Sequence, residues 1–149
     1  MIKFAHVNLI TNNWKKLALF YIQVFDCKPL APTRNLKGKW LDKATTIANS
    51  HIKGIHLSLP GYPGSSAPTL EIFEYNRSRK KGTTAINKIG LGHIAFKTDD
   101  IDMLIIRLRE HGGIIAGEKV SVKIKGAGNL TFVYAQDIDG NYIEIQQWS

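Results

Sequence analysis

The feature that most limits what this chain can become is an order of elements stated twice. The run Ile2-Lys3-Phe4-Ala5-His6-Val7-Asn8-Leu9-Ile10 reads as a strand with a histidine at its centre. A helical pattern follows it, then extended segments ending in Thr69-Leu70-Glu71-Ile72-Phe73. The second half restarts with Ile89-Gly90-Leu91-Gly92-His93-Ile94-Ala95-Phe96, turns helical, and closes on Asn141-Tyr142-Ile143-Glu144-Ile145. A separation of 65 positions divides His6 from Glu71, and 51 divides His93 from Glu144. The excess belongs in the irregular stretch 33–50 and in the loop 60–68, because surface loops tolerate added length at little entropic cost.

Residue parity sharpens the repeat. Side chains alternate between the two faces of a strand. Ala5, Val7 and Leu9 therefore oppose His6, and Leu70 and Ile72 oppose Glu71. In the second half Ile94 and Phe96 oppose His93, and Ile143 and Ile145 oppose Glu144. One face of each sheet is expected to pack under a helix while the other carries the polar group. The helices are legible by spacing. Trp14, Leu17, Ala18, Tyr21, Ile22 and Phe25 form one apolar face, as do Ile101, Leu104, Ile105 and Leu108. Thr11-Asn12-Asn13 and Thr98-Asp99-Asp100 supply the caps that begin them, and Gly112-Gly113 ends the second.

Between these elements, residues 26–32 are expected to be extended, and 33–50 to hold a short strand or helical turn and then a loop. Residues 52–75 read as a hairpin across the Pro- and Gly-rich loop 60–66. The second half reads extended from Ile114 to Lys125, then as strands over Leu130–Ala135 and Tyr142–Trp148 around an Asp137–Asn141 turn. The expected organisation is a single α+β domain, 1–149, made of a first module over 1–75, a polar and basic linker over 76–88, and a second module over 89–149.

Composition matters mainly for what it excludes. The one cysteine, Cys27, allows neither an intrachain disulfide nor a multi-cysteine zinc site, and is expected to serve packing. No apolar run reaches the roughly 18–20 residues of a membrane span, and the N-terminus lacks a signal-peptide pattern. A cytoplasmic location is the expectation. The net charge of +8 is scattered, apart from a concentration at Arg77, Arg79, Lys80, Lys81 and Lys88. No basic stripe interleaved with aromatics accompanies it, so the expected partner is a small molecule, with an anionic one left open. Neither nucleic acid nor membrane is expected.

Four residues in matching places of two halves form the candidate site: His6, Glu71, His93 and Glu144. Two imidazoles and two carboxylates without a thiolate suit Zn, Ni, Co, Mn or Fe, with positions left for water or substrate. A metal so held polarises a carbonyl, and a carboxylate that releases it becomes a base. Rivals are weaker. Glu74 has the wrong parity for the Glu71 face, His56 lacks a counterpart in the second half, and His51 lies in an irregular stretch. His111 ends a helix, where it is expected to be structural.

These motifs resemble the vicinal oxygen chelate superfamily, which includes glyoxalase I, methylmalonyl-CoA epimerase, extradiol dioxygenases, and fosfomycin- and bleomycin-resistance proteins. The resemblance covers essentially the whole chain. Its most characteristic part is Asp137-Ile138-Asp139-Gly140-Asn141-Tyr142-Ile143-Glu144-Ile145, although the family usually has proline where Ile138 stands. It implies two βαβββ modules forming a cupped, mixed eight-stranded sheet with helices on the outer face. It also implies a divalent metal held by His6, Glu71, His93 and Glu144. That set is most similar to glyoxalase I, where Glu144 or Glu71 would shuttle a proton between adjacent carbons of an α-oxygenated carbonyl substrate. Two alternatives come with the resemblance. An Fe(II)-dependent extradiol dioxygenase would use two histidines and one glutamate. A resistance protein that only sequesters a drug would need no metal, and Trp14, Trp40 and Trp148 could line its cavity. A homodimer is expected, with the site inside one chain or across the dimer.

Overall fold

The alternating and helical patterns resolve into nine strands and three helices in the computed structural model, which describes residues 1–149. The chain forms two compact units, Met1–Lys80 and Lys81–Ser149. The first contains β1 (His6–Ile10), α1 (Trp14–Phe25), β2 (Lys28–Lys37), α2 (Lys39–Thr45), β3 (His51–Ser58) and β4 (Thr69–Tyr75). The second contains β5 (Ile94–Lys97), α3 (Ile101–Glu110), β6 (Ile114–Ile115), β7 (Val120–Ile124), β8 (Gly128–Gln136) and β9 (Tyr142–Trp148).

The α+β class holds, with the strands in two mixed, open sheets of four and five rather than in one sheet of eight. Strand order is β1-β4-β3-β2 in the first and β5-β9-β8-β6 in the second, with β7 also on β8. In both units the first strand pairs in parallel with the last, and the last pairs antiparallel with the one before it. The repeat in the sequence is thus a repeat of topology. Three details differ from expectation. β5 begins only at Ile94, so His93 lies just before the strand that was expected to contain it. Residues 28–45 are more regular than they read, forming β2 and α2. The extended run from Ile114 is split into β6 and β7, both paired to β8.

Each sheet buries one face against its long helix. The helix α1 lies on β3 and β4, and α3 on β6 and β9. Leu57, Leu70 and Ile72 are fully or almost fully buried on the first sheet, as are Val133, Ala135, Ile143 and Ile145 on the second. The buried face of α1 is Leu17, Ala18, Phe20, Tyr21, Val24 and Phe25. It is rotated from the expected face, so Trp14 and Ile22 are only half-buried and Phe20 and Val24 go inside. The caps fall where expected: Asn13 Oδ1 accepts from Lys16 N, and Asp100 Oδ1 from Met103 N.

A smaller cluster lies on the opposite face of the first sheet. Leu41 of α2 packs there with Ile52 and Phe73, flanked by Leu36 and Tyr75. Cys27 is buried at the end of α1, as its packing role requires. Burial, with the Asp26 carboxylate adding to it, pushes its thiol up to about 12. An ordinary thiol titrates near about 8.5, so the native thiolate is vanishingly scarce at pH 8. Cys27 is expected to react with a disulfide reagent at least about 10³-fold faster in urea than in the native protein. Equal rates in the two states would show that the thiol is accessible.

Candidate metal centre

The residues that could carry chemistry lie on the face of each sheet away from its long helix. Strand pairing explains how residues far apart in sequence meet there. Because β1 runs parallel beside β4, Asn8 sits opposite Glu71, and His6 lies two residues earlier on the same face. Because β5 runs parallel beside β9, Ala95 sits opposite Glu144, and His93 lies two residues before Ala95. The histidine is therefore diagonal to the glutamate by the same offset in both units. Diagonal neighbours of this kind are within reach of long side chains.

The distances follow from that register. His6 Nε2 is 3.5 Å from Glu71 Oε2, and His93 Nε2 is 3.0 Å from Glu144 Oε2. Each glutamate side chain is only 12% exposed. A carboxylate this far out of water needs strong compensation. Histidine and amide groups meet both carboxylates, and no lysine or arginine does.

The two carboxylates are held differently. Glu71 is gripped across three strands. Asn8 Nδ2 donates to its Oε2 at 2.8 Å, and His56, opposite it on β3, places Nε2 2.8 Å from its Oε1. A carboxylate only accepts, so His56 carries its hydrogen on Nε2, and Nδ1 accepts from the Thr69 hydroxyl at 3.0 Å. Burial lowers the His56 pKa, helped by the nearby Arg34 and His6 charges and opposed by Glu71. The ring is therefore neutral at pH 7, and its contact with Glu71 is a hydrogen bond from a neutral donor.

Glu144 is held from its own strand. Gln146 Nε2 donates to Glu144 Oε1 at 3.0 Å, and Trp148 Nε1 donates to Gln146 Oε1 at 2.8 Å. An indole N–H only donates, so Trp148 fixes which way the Gln146 amide points. The place opposite Glu144 on β8 is taken by Tyr134, whose ring centroid lies 5.3 Å from that of His93.

The turn before β9 sets the position of Glu144. Buried Asp137 accepts from the backbone N–H groups of Asp139 and Asn141 through Oδ1, both at 2.9 Å, and from Asn141 Nδ2 through Oδ2 at 2.8 Å. Gly140 takes φ +75°, a region that a side chain would disfavour. Lys81, one of the clustered basic residues, donates to Asp139 O and Asn141 Oδ1. Part of that cluster therefore ties down the turn.

Donor chemistry and spacing fit a divalent ion. Ligand atoms about 2.1 Å from a metal lie about 3.0 Å apart at a right angle and about 3.4 Å apart at a tetrahedral one. Both histidine–glutamate pairs match these spacings, and both offer Nε2. Within either unit, no group of three or more His, Cys, Asp or Glu takes up a complete metal-holding arrangement. The rivals find other work. Glu74 Oε2 accepts from Trp14 N at 3.3 Å and caps α1. His51 bonds Asn35, and His111 caps the end of α3. His56 and Asn8 are the two further residues that meet Glu71, and sequence reasoning did not place them there. Asn8 shares the parity of His6, a signal that was available.

The family model described as the Glyoxalase/Bleomycin resistance protein/Dioxygenase superfamily matches residues 3–145. A glyoxalase family protein from Bacillus cereus is similar in structure, with a TM-score of 0.82 at 16% identity, covering 99% of this chain and 95% of that one. The fosfomycin resistance protein FosX from Listeria monocytogenes matches with a TM-score of 0.64 at 20% identity, over 100% of this chain and 96% of that one. A mutant of FosX complexed with Mn(II) and 1S,2S-dihydroxypropylphosphonic acid matches with a TM-score of 0.60 at 20% identity, over 97% and 92%. No curated protein sequence matches the chain.

Proposed function

The chain belongs to the glyoxalase/bleomycin resistance protein/dioxygenase superfamily, and on that premise we propose that it is a divalent-metal-dependent enzyme with glyoxalase I-like isomerase or lyase chemistry. Its substrate is a small α-oxygenated carbonyl compound. His6, Glu71, His93 and Glu144 supply the metal ligands. The observation that carries the reading is the identical diagonal placement of histidine and glutamate in both units, with each carboxylate 12% exposed and met by imidazole instead of lysine or arginine.

Bound there, a divalent cation supplies Lewis-acid polarisation of a substrate oxygen. The chain's own residues do the rest. His6 and His93 present imidazole nitrogen donors. Glu71, gripped by Asn8 and His56, stays in place as a fixed negative charge. Glu144, held only along its own strand and by His93, is the carboxylate with freedom to take a proton from one substrate carbon and return it to the next. The protein works as a homodimer.

Metal analysis of protein purified without chelators, followed by a substrate panel, tests the proposal. The expected result is near-stoichiometric divalent metal, turnover of a hemithioacetal or a related α-oxygenated carbonyl compound, loss of turnover in EDTA and recovery on adding metal back. Full turnover after EDTA, or no bound metal, defeats it. A catechol with oxygen uptake and the epoxide fosfomycin complete the panel, because turnover of either would move the reaction to another branch of the superfamily.

A further inference from the structure

His56 belongs neither to the repeat nor to the four-ligand set, yet it is built into the Glu71 site from three sides. Its side chain is only 18% exposed, and Nε2 lies 2.8 Å from Glu71 Oε1. Thr69, two residues before Glu71 on the same strand, holds Nδ1 at 3.0 Å. Its ring packs at right angles near His6, with centroids 5.8 Å apart, and near Phe73 at 6.0 Å. These contacts leave the imidazole one orientation, with Nε2–H aimed at the carboxylate.

The consequence is a division of labour between the two oxygens of Glu71. Oε1 is taken by His56. Oε2 accepts from Asn8 and is the oxygen that faces His6 Nε2, at 3.5 Å. A glutamate side chain has several freely rotating bonds and loses that freedom when it serves as a ligand. A partner that immobilises it beforehand removes part of that loss from the binding step. We propose that His56 is a positioning residue for the metal centre, holding Oε1 of Glu71 so that Oε2 is presented beside His6. This rests on the metal role proposed above for Glu71. The second unit does not reuse the device. Tyr134 stands opposite Glu144, and Gln146 provides the corresponding hydrogen bond from the same strand.

The test compares metal affinity across full-length variants, using Mn(II) or Co(II) alone in competition with a fluorescent chelator. Outer partners of metal ligands typically contribute about 10–100-fold to affinity. His56→Leu, which cannot donate, is expected to weaken metal binding by that factor. His56→Gln, whose amide N–H reaches the place of Nε2–H, is expected to stay within about threefold of the parent. Should the leucine variant fail to fold, His56→Asn carries the comparison, because its shorter amide reaches Thr69 but not Glu71. Parent-like affinity in the Leu or Asn variant overturns the role of His56 while leaving the metal reading standing. Affinity in the Gln variant as weak as in His56→Leu also overturns it, because the imidazole would then act as more than a donor to Glu71. A parent protein that binds neither ion overturns the metal reading itself, and this inference with it.

Discussion

Glu144→Gln is expected to lower turnover by about 10²–10⁴-fold, the usual contribution of a positioned general base, while the folded structure persists. The amide is nearly the same size as the carboxylate, and its oxygen can still accept from Gln146, so the β9 chain of Glu144, Gln146 and Trp148 is kept. What disappears is the negative charge beside His93 and the capacity to take a proton. Glu71→Gln removes the same charge from a different setting. Its carboxylate is held by Asn8, His56 and His6 across three strands. Its loss is expected to appear chiefly as weaker metal binding, with turnover at saturating metal falling less than in Glu144→Gln. Steady-state turnover at saturating metal, set beside the metal dissociation constant of each variant, separates the two. Equal losses of turnover would remove the assignment of Glu144 as the mobile base, and parent-like turnover in Glu144→Gln would remove it from the reaction.

Gly54→Ala is expected to destabilise the protein by about 3 kcal/mol or more, at the upper end of what single substitutions do. Gly54 lies on β3 opposite Phe73 of β4, two residues before His56. A Cβ added there would lie 2.1 Å from the Ile72 carbonyl oxygen and 2.5 Å from the Phe73 ring. The first of these is backbone, held by the strand pairing, and cannot step aside as a flexible side chain would. The second is part of the cluster of Leu41, Ile52 and Phe73, so moving the ring also disturbs α2. A glycine inside a strand usually marks such a close approach. The midpoint of urea unfolding measures the cost. The same substitution is expected to weaken metal binding, because Phe73 packs near His56 and both border Glu71. A variant with parent-like stability would mean that the β3–β4 register adapts more freely than the geometry allows.

Much of the fold was legible because its determinants are local. Alternation of apolar and polar residues around His6, Glu71 and Glu144 assigns strands and faces with no knowledge of partners. Asn13 and Asp100 announce helix starts because a cap needs only the N–H groups just ahead of it. The Asp137–Asn141 turn is equally self-contained. Residues 28–45 were less legible. β2 carries Pro29, Pro32 and Gly38 around it, passes through a cis bond at Ala31–Pro32, and shifts register between Leu30 and Arg34. Such a strand has little alternation to read, and its pairing with β3 defines it.

By itself, the sequence determined which residues could be ligands and, for His6, Glu71 and Glu144, which face of its strand each occupies, since side-chain direction has a period of two and needs no partner. Tertiary structure alone decided who touches whom. The parallel pairings of β1 with β4 and β5 with β9 put each histidine diagonal to its glutamate by one shared offset. The antiparallel pairing of β3 with β4 put His56 directly across from Glu71. The repeat argued against His56, because no histidine in the second half matches it; the pairing of β8 with β9 puts Tyr134 in the corresponding place. Register is a non-local property, set by hydrogen bonds between strands far apart in the chain, so no pattern confined to one strand could have revealed that contact.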